Sequence, residues 1–174
     1  HLHNRVIQIG QDRFSVFAKI GDDTPVGIER SRGDCFNIRL AMNTVSSISS
    51  LAEVLPIQLI DPNCHFLIND GPAIRRKFID WGVFHVEHNN FLQQWRKFQR
   101  IVRQRNASLK QKNAEKEAAL WNADFTKTAN EINQLRKGYI NQFQVVLSEL
   151  LVRLFEIDNI VVEYKAGWDS EIDL

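Results

Sequence analysis

A chain of 174 residues that is 44% hydrophobic and 25% charged is large enough to bury a core and too apolar for an intrinsically disordered segment. Its formal net charge of +1 excludes neither acidic nor basic partners, no apolar run approaches the roughly 18 residues of a membrane span, and Cys35 and Cys64 fit no metal or disulfide framework. The thiols read as reduced and the start, His1-Leu2-His3-Asn4-Arg5, has no signal-peptide character, so a soluble cytoplasmic protein is expected.

Residues 5 to 60 read as β structure. Val6 to Ile9 and Phe14 to Ile20 are expected strands around a turn at Gly10, and Phe14, Val16 and Ala18 have the period of two that marks one inward face. The cluster from Gly21 to Pro25 predicts a turn before a third strand, Val26 to Arg30. Ser31 to Asp34 predicts another before a fourth, Cys35 to Ala41, in which Phe36, Ile38 and Leu40 alternate with polar neighbours. Short turns of this kind imply antiparallel hairpins. A short helix from Ser46 to Glu53 and a buried strand from Val54 to Ile60 complete the first half.

Asp61-Pro62 is expected to stop that strand, because proline lacks a backbone N–H and drives its predecessor out of the helical region. Gly71-Pro72 then opens a helix, with Pro72 in the first turn, where its missing donor is not needed. From Phe91 to Leu109 the apolar residues 91, 95, 98, 102 and 109 fall within about 40° of one line on a helix, and Arg96, Arg100 and Arg103 lie opposite. Arg105 falls on the apolar side and needs a partner, for which Asp80, Glu87 or an acid of the next helix are candidates. Trp121, Phe125, Ile132, Leu135, Tyr139, Val146, Leu150 and Leu154 predict a second helix of about 35 residues, with Gly138 inside it. The two helices suggest a hairpin, and Trp81, Trp95 and Trp121 are expected to anchor its core. Ile160 to Tyr164 predicts a return strand before an acidic tail. The expected fold class is α+β, with a β-rich part over 1–78, a helical lobe over 79–158, and the strand and tail over 159–174.

The balanced total hides a segregated charge pattern. Residues 1–74 carry 6 basic and 8 acidic groups, residues 75–112 carry 10 and 2, and residues 113–174 carry 6 and 11, for net charges of −2, +8 and −5. A +8 segment on a turn and a helix is the expected electrostatic footprint of a polyanion-binding surface, and Arg75, Arg76, Lys77, Arg96, Arg100 and Arg103 are the candidate DNA-backbone contacts. The competing reading is a solvated helix face, with Arg75 or Arg76 paired to Asp80 or Asp61 to fix the turn. His85 and His88 share the spacing of two ligands but lack a third, so no metal is expected. No arrangement of nucleophile and base points to catalysis.

One stretch resembles a known family. After Pro62, the order Leu67-Ile68, Gly71-Pro72, Arg75-Arg76, Phe78, Ile79 and Asp80 is similar to the signature of RecF, an ABC-type ATPase of bacterial DNA gap repair. Asn63 and Asp70 depart from it, where the family has an acid and a glycine. Trp81 to His85, Gln104-Arg105-Asn106, Trp121, Ile132, Arg136, and Tyr164 before Gly167-Trp168 extend the resemblance; Ala129 stands where the family has glycine. The sequence holds no Gly-x-x-x-x-Gly-Lys-Ser/Thr, no signature motif and no acidic strand end. The resemblance therefore implies the portion between the phosphate loop and the C-terminal catalytic half, unable alone to hydrolyse ATP, with ATP and Mg belonging to the full protein. It implies further an ATP-dependent homodimer on duplex DNA beside single-strand gaps, working with RecR and RecO to load RecA. Gln58 sits where ABC-type heads carry a nucleotide-sensing glutamine, and an outward-facing strand residue is the plain alternative. Two other functions fit the residues: an architectural helical arm that docks a protein, and a stand-alone nucleic-acid-binding module without ATPase activity.

Overall fold

The computed structural model describes residues 5–21, 23–33, 35–60, 62, 65–110, 116 and 119–168. Asp61, Asn63, Cys64 and the acidic tail from 169 onward lie outside the described residues. The fold is α+β, and it divides into two compact units, His1–Ile60 and Asp61–Leu174.

The first unit is an antiparallel sheet of β1 (Arg13–Ile20), β2 (Thr24–Ser31), β3 (Phe36–Leu40) and β4 (Asn43–Val45), paired in sequence order. Side chains alternate across the sheet, so Val26, Ile28, Ile38 and Leu40 share one face. Helix α1 (Ile48–Val54), whose first turn is capped by the Ser47 hydroxyl accepting from the Ser49 N–H, places Leu51 against that face. Val26, Ile38 and Leu51 are the buried centre, ringed by Ile20, Phe36, Val45 and Leu55.

Strand β4 was not evident in the sequence. It is reached through Ala41 and Met42, both at positive φ (48° and 69°), which is the two-residue turn whose twist suits a hairpin but which normally draws on Asn or Gly. Val6 to Ile9, expected as a strand, forms bends and a turn instead. Arg32 holds it there by donating to the carbonyls of Gln11 (2.9 Å) and Gln8 (3.4 Å). The inward phase expected of β1 is right, since Val16 pairs with Ile28, yet Val16 stays half exposed because β1 is an edge strand beyond the reach of α1. Val54 to Ile60 is not a buried strand: Val54 closes α1, and Ile57, Leu59 and Ile60 are exposed without a ladder partner.

The second unit is a helical hairpin. After a single turn, α2 (Phe66–Asn69), comes α3 (Pro72–Ser108), with Pro72 in its first turn as expected, and then α4 (Asn122–Phe155). Contacts across the pair run antiparallel: Phe78 meets Phe143, Asp80 meets Arg136, Phe98 meets Phe125 and Arg105 meets Asn122. Val83, Phe91 and Ile132 form the buried centre, supported by Ile79, Phe98, Leu135 and Tyr139. Trp81 and Trp95 are more than a third exposed and border this core rather than anchor it.

Helix α3 is not continuous. His88 (φ 43°, ψ −116°) kinks it, so residues before and after it belong to two helical pieces. The apolar phase of α4 persists through Val146, Leu150 and Leu154, but all three are exposed among the described residues. Ile160 to Tyr164 forms no ladder. Gln144 of α4 stands in for a neighbouring strand, donating to the Ile160 carbonyl (2.9 Å) and accepting from the Val162 N–H (2.6 Å), while side chains from 161 to 168 alternate exposed and half-buried.

Gly82 lets the Tyr139 ring of α4 pack directly onto the α3 backbone, because a Cβ there would run into that ring. Gly82→Ala is expected to lower stability by about 1–3 kcal/mol in urea denaturation through overpacking, whereas Gly138→Ala, which meets nothing, should stabilise by up to about 1 kcal/mol.

Candidate nucleic-acid interface

The cationic surface of the second unit begins with how α3 is oriented. Phe91, Phe98 and Ile101 turn toward α4, and at 100° per residue this carries Arg96, Arg100 and Arg103 to the opposite side, where all three are exposed. Arg96 also interacts within the chain. Arg76 and Lys77, in the first turns of α3, are exposed as well.

Arg75 is committed differently. Its Nη1 donates to the carbonyl of Asp70 (2.7 Å) and lies within reach of those of Ile68 and Leu67 (3.4 and 3.5 Å). These are the carbonyls that the short helix α2 leaves without intrahelical partners. Arg75 thus fixes the Gly71-Pro72 turn through backbone oxygens, and Asp80 is not its partner.

Asp80 is taken by Arg136 of α4 in a two-pronged ion pair: Nε to Oδ1 at 2.7 Å and Nη2 to Oδ2 at 3.0 Å. The side chains are 15% (Arg136) and 21% (Asp80) exposed, so water screens the pair weakly. Burial works against the charge on Arg136, but the Asp80 carboxylate and the neighbouring Tyr164 hydroxyl outweigh it and raise the guanidinium pKa. Burial likewise pushes the Tyr164 hydroxyl up, against the pull of Arg136. Three elements meet at this point: the start of α3, the middle of α4 and the segment that follows α4.

Arg105, expected to need an acid, uses none of the three candidates. Its Nε donates to the Asn122 side-chain oxygen (3.1 Å), and its guanidinium lies over the Phe125 ring, 5.5 Å from the centroid. A neutral amide and a π face satisfy the ion at the closed end of the hairpin. The sequence signal for this was available only as Asn122 and Phe125 sharing the first turn of α4.

His85 packs edge-on to Trp81 and Phe84, and burial, followed by the nearby His88, lowers its pKa. The kink at His88 breaks the regular helical spacing of the two imidazoles, and among the described residues no three His, Cys, Asp or Glu side chains gather as a metal site. Gln58 lies on the exposed segment after α1 and donates to the Leu59 carbonyl (3.3 Å). The described residues around it supply neither a phosphate loop nor a carboxylate cluster, so they do not by themselves fit ATP and Mg.

A four-stranded antiparallel sheet, followed in the chain by a kinked helical hairpin with one cationic side, defines the class as α+β. No protein-family model matches the chain. It is 36% identical over 174 residues to the DNA replication and repair protein RecF of Pseudomonas fluorescens (strain SBW25), covering 97% of this chain and 47% of that protein. It is also 36% identical to the protein of the same name from Pseudomonas putida (strain W619), covering 98% of this chain and 48% of that one. Among solved structures, those of the recombination mediator protein RecF of the RecFOR pathway, with ATPrS and with ATP, superpose with TM-scores of 0.72 and 0.71 at 17% identity, over 88% of this chain and 43% of theirs. The chain belongs to the RecF family and spans about half the length of the curated relatives it matches.

If the Asp80–Arg136 pair closes the hairpin, removing one partner leaves a poorly solvated charge. Arg136→Met is expected to lower stability by about 2–4 kcal/mol, and the Asp80→Leu/Arg136→Met double variant by less than the sum of the singles, with a coupling of about 1–3 kcal/mol in a denaturation cycle.

Proposed function

We propose that this chain is the sheet-and-hairpin portion of a RecF-type DNA repair protein and that the outer side of α3 grips duplex DNA through its phosphates. The observation that carries the reading is the placement of Arg96, Arg100 and Arg103 on one exposed side of a helix whose other side is buried in the hairpin. Arg76 and Lys77 extend the cationic surface, while Arg75 contributes through the turn it holds. Guanidinium groups on one helical face neutralise successive phosphates and release their counterions without reading base sequence.

For the whole protein, family membership supports a role in DNA replication and repair within recombination mediated by RecF, RecO and RecR. In that proposal ATP and Mg hold two heads together as a homodimer on duplex DNA beside a single-strand gap, where it cooperates with RecR and RecO to load RecA. This chain supplies scaffold and DNA surface rather than ATP hydrolysis. Gln58 is the residue through which it would approach nucleotide. A docking role for the arm is favoured by one further feature, the exposed Val146, Leu150 and Leu154 along the last turns of α4.

The Arg96→Glu/Arg100→Glu/Arg103→Glu variant is expected to bind duplex DNA at least tenfold more weakly at about 0.1 M salt, and the slope of log K against log salt should shrink by roughly one to three units. Binding that keeps the parent's affinity and slope contradicts the proposed face. Far-ultraviolet circular dichroism of the variant, which changes only exposed positions, distinguishes lost contacts from lost folding.

A further inference from the structure

The sheet carries a feature that the α3 surface does not explain. Strand register sets Phe17, Gly27, Arg39 and Thr44 side by side in one row across all four strands. The row lies on the face opposite Val26, Ile38 and Leu40, because each of its members is one residue out of phase with them. Gly27 contributes no side chain, so the row has an opening one strand wide. Phe17 and Arg39 flank it from strands about 10 Å apart, twice the usual interstrand spacing. The opening belongs to a depression of about 470 Å³ whose lining includes Phe17, Gly27 and Arg39, with Ser15, Asn37 and Thr44 supplying hydrogen-bonding groups. Phe17 is 69% exposed, an uncommon position for a large aromatic on a sheet with its own core.

An aromatic ring on one wall, a guanidinium on the other and a bare peptide floor between them suit a flat, polar, π-rich group. Phe17 offers a stacking face, Arg39 offers a planar cation, and the surrounding amide and hydroxyls can meet the edge of a heterocycle. Arg13 and Lys19, on the same face of β1, add positive charge at the rim, each partly offset by an acid (Glu29 at 3.3 Å, Asp23 at 3.1 Å). A base inside a duplex is already stacked and paired and cannot enter such an opening. A free nucleotide would stack as well, but the described residues of this unit offer no glycine-rich loop to hold its phosphates. A single strand needs none, since its neighbouring nucleotides add their own contacts.

We infer that the Phe17–Gly27–Arg39 row is a stacking slot for an unstacked base of single-stranded DNA. The slot lies wholly within the sheet unit and does not depend on the cationic side of α3.

The direct experiment titrates the full chain into single-stranded oligodeoxynucleotides of about 15 residues carrying one 2-aminopurine, whose fluorescence reports stacking. A saturable fluorescence change is expected. Phe17→Ala should weaken binding about tenfold, in line with base–aromatic stacking elsewhere, and Arg39→Gln should weaken it severalfold. Gly27→Val closes the opening while leaving both walls in place, and its new Cβ would meet the Arg39 Cβ at an ordinary 3.9 Å, so the sheet should keep its fold and lose the fluorescence change. The α3 triple-glutamate variant should retain that change, which separates failure of the slot from failure of the duplex-binding face. The inference is overturned by a parent that gives no saturable change, by folded Phe17 and Gly27 variants that both match the parent, or by deoxyadenosine monophosphate competing as well as the oligonucleotide.

Discussion

The two-pronged contact between Asp80 and Arg136 is the constraint on which the helical unit depends. It joins the first turns of α3 to the middle of α4 with both ions largely out of water, and Tyr164 brings the following segment onto the same point. Charges in such surroundings favour one arrangement strongly, since any slip along the helices strands a carboxylate or a guanidinium away from solvent. The register it selects is the one in which Gly82 admits the Tyr139 ring, Phe98 meets Phe125 and Arg105 reaches Asn122. Two ionic or amide contacts thus bracket an apolar centre of Val83, Phe91 and Ile132.

Orientation of the exposed arginines follows from that register. With Phe91 and Ile101 buried, the helix has no rotational freedom left, and Arg96, Arg100 and Arg103 must point away from α4. The kink at His88 separates this part of α3 from the part that carries Asp80, so the clamp and the cationic side occupy different helical pieces. Division of labour among the arginines is equally physical. Arg75 serves backbone carbonyls, Arg136 a carboxylate, and Arg105 an amide and a ring, while Arg96, Arg100 and Arg103 are exposed together on the outer side of α3.

Features carried by local periodicity were legible in the sequence. The alternation of Phe36, Ile38 and Leu40, the proline at the start of α3, and the apolar phases through Phe91 and Phe98 of α3 and through Ile132, Leu135 and Tyr139 of α4 each reflect a local signal within one element, and each appears where expected. Features that depend on partners were not. Val6 to Ile9 has strand composition but is claimed by Arg32, and Val54 to Ile60 and Ile160 to Tyr164 have it without any described strand beside them. The turn at Ala41-Met42 uses residues that seldom adopt positive φ, and so it left no compositional mark. Arg105 was recognisable as a charge in need of company, while the choice of company, for it as for Asp80 and Arg136, was a tertiary matter. The family resemblance reached further than periodicity, since its positions include both Asp80 and Arg136, the two ends of the ion pair, and the 36% identity over nearly the whole chain agrees with it.

Whether the outer side of α3 meets DNA can be read by proximity. With Cys35 and Cys64 replaced by serine, a photoactivatable aryl azide attached through cysteine at Gln93 or Gln104, exposed positions flanking the arginines, is compared with the same group at Gln134, exposed on α4. Cross-linking to duplex DNA from positions 93 and 104 well above that from 134 is the result the account predicts. Equal yields from all three, or a yield concentrated at 134, would contradict it.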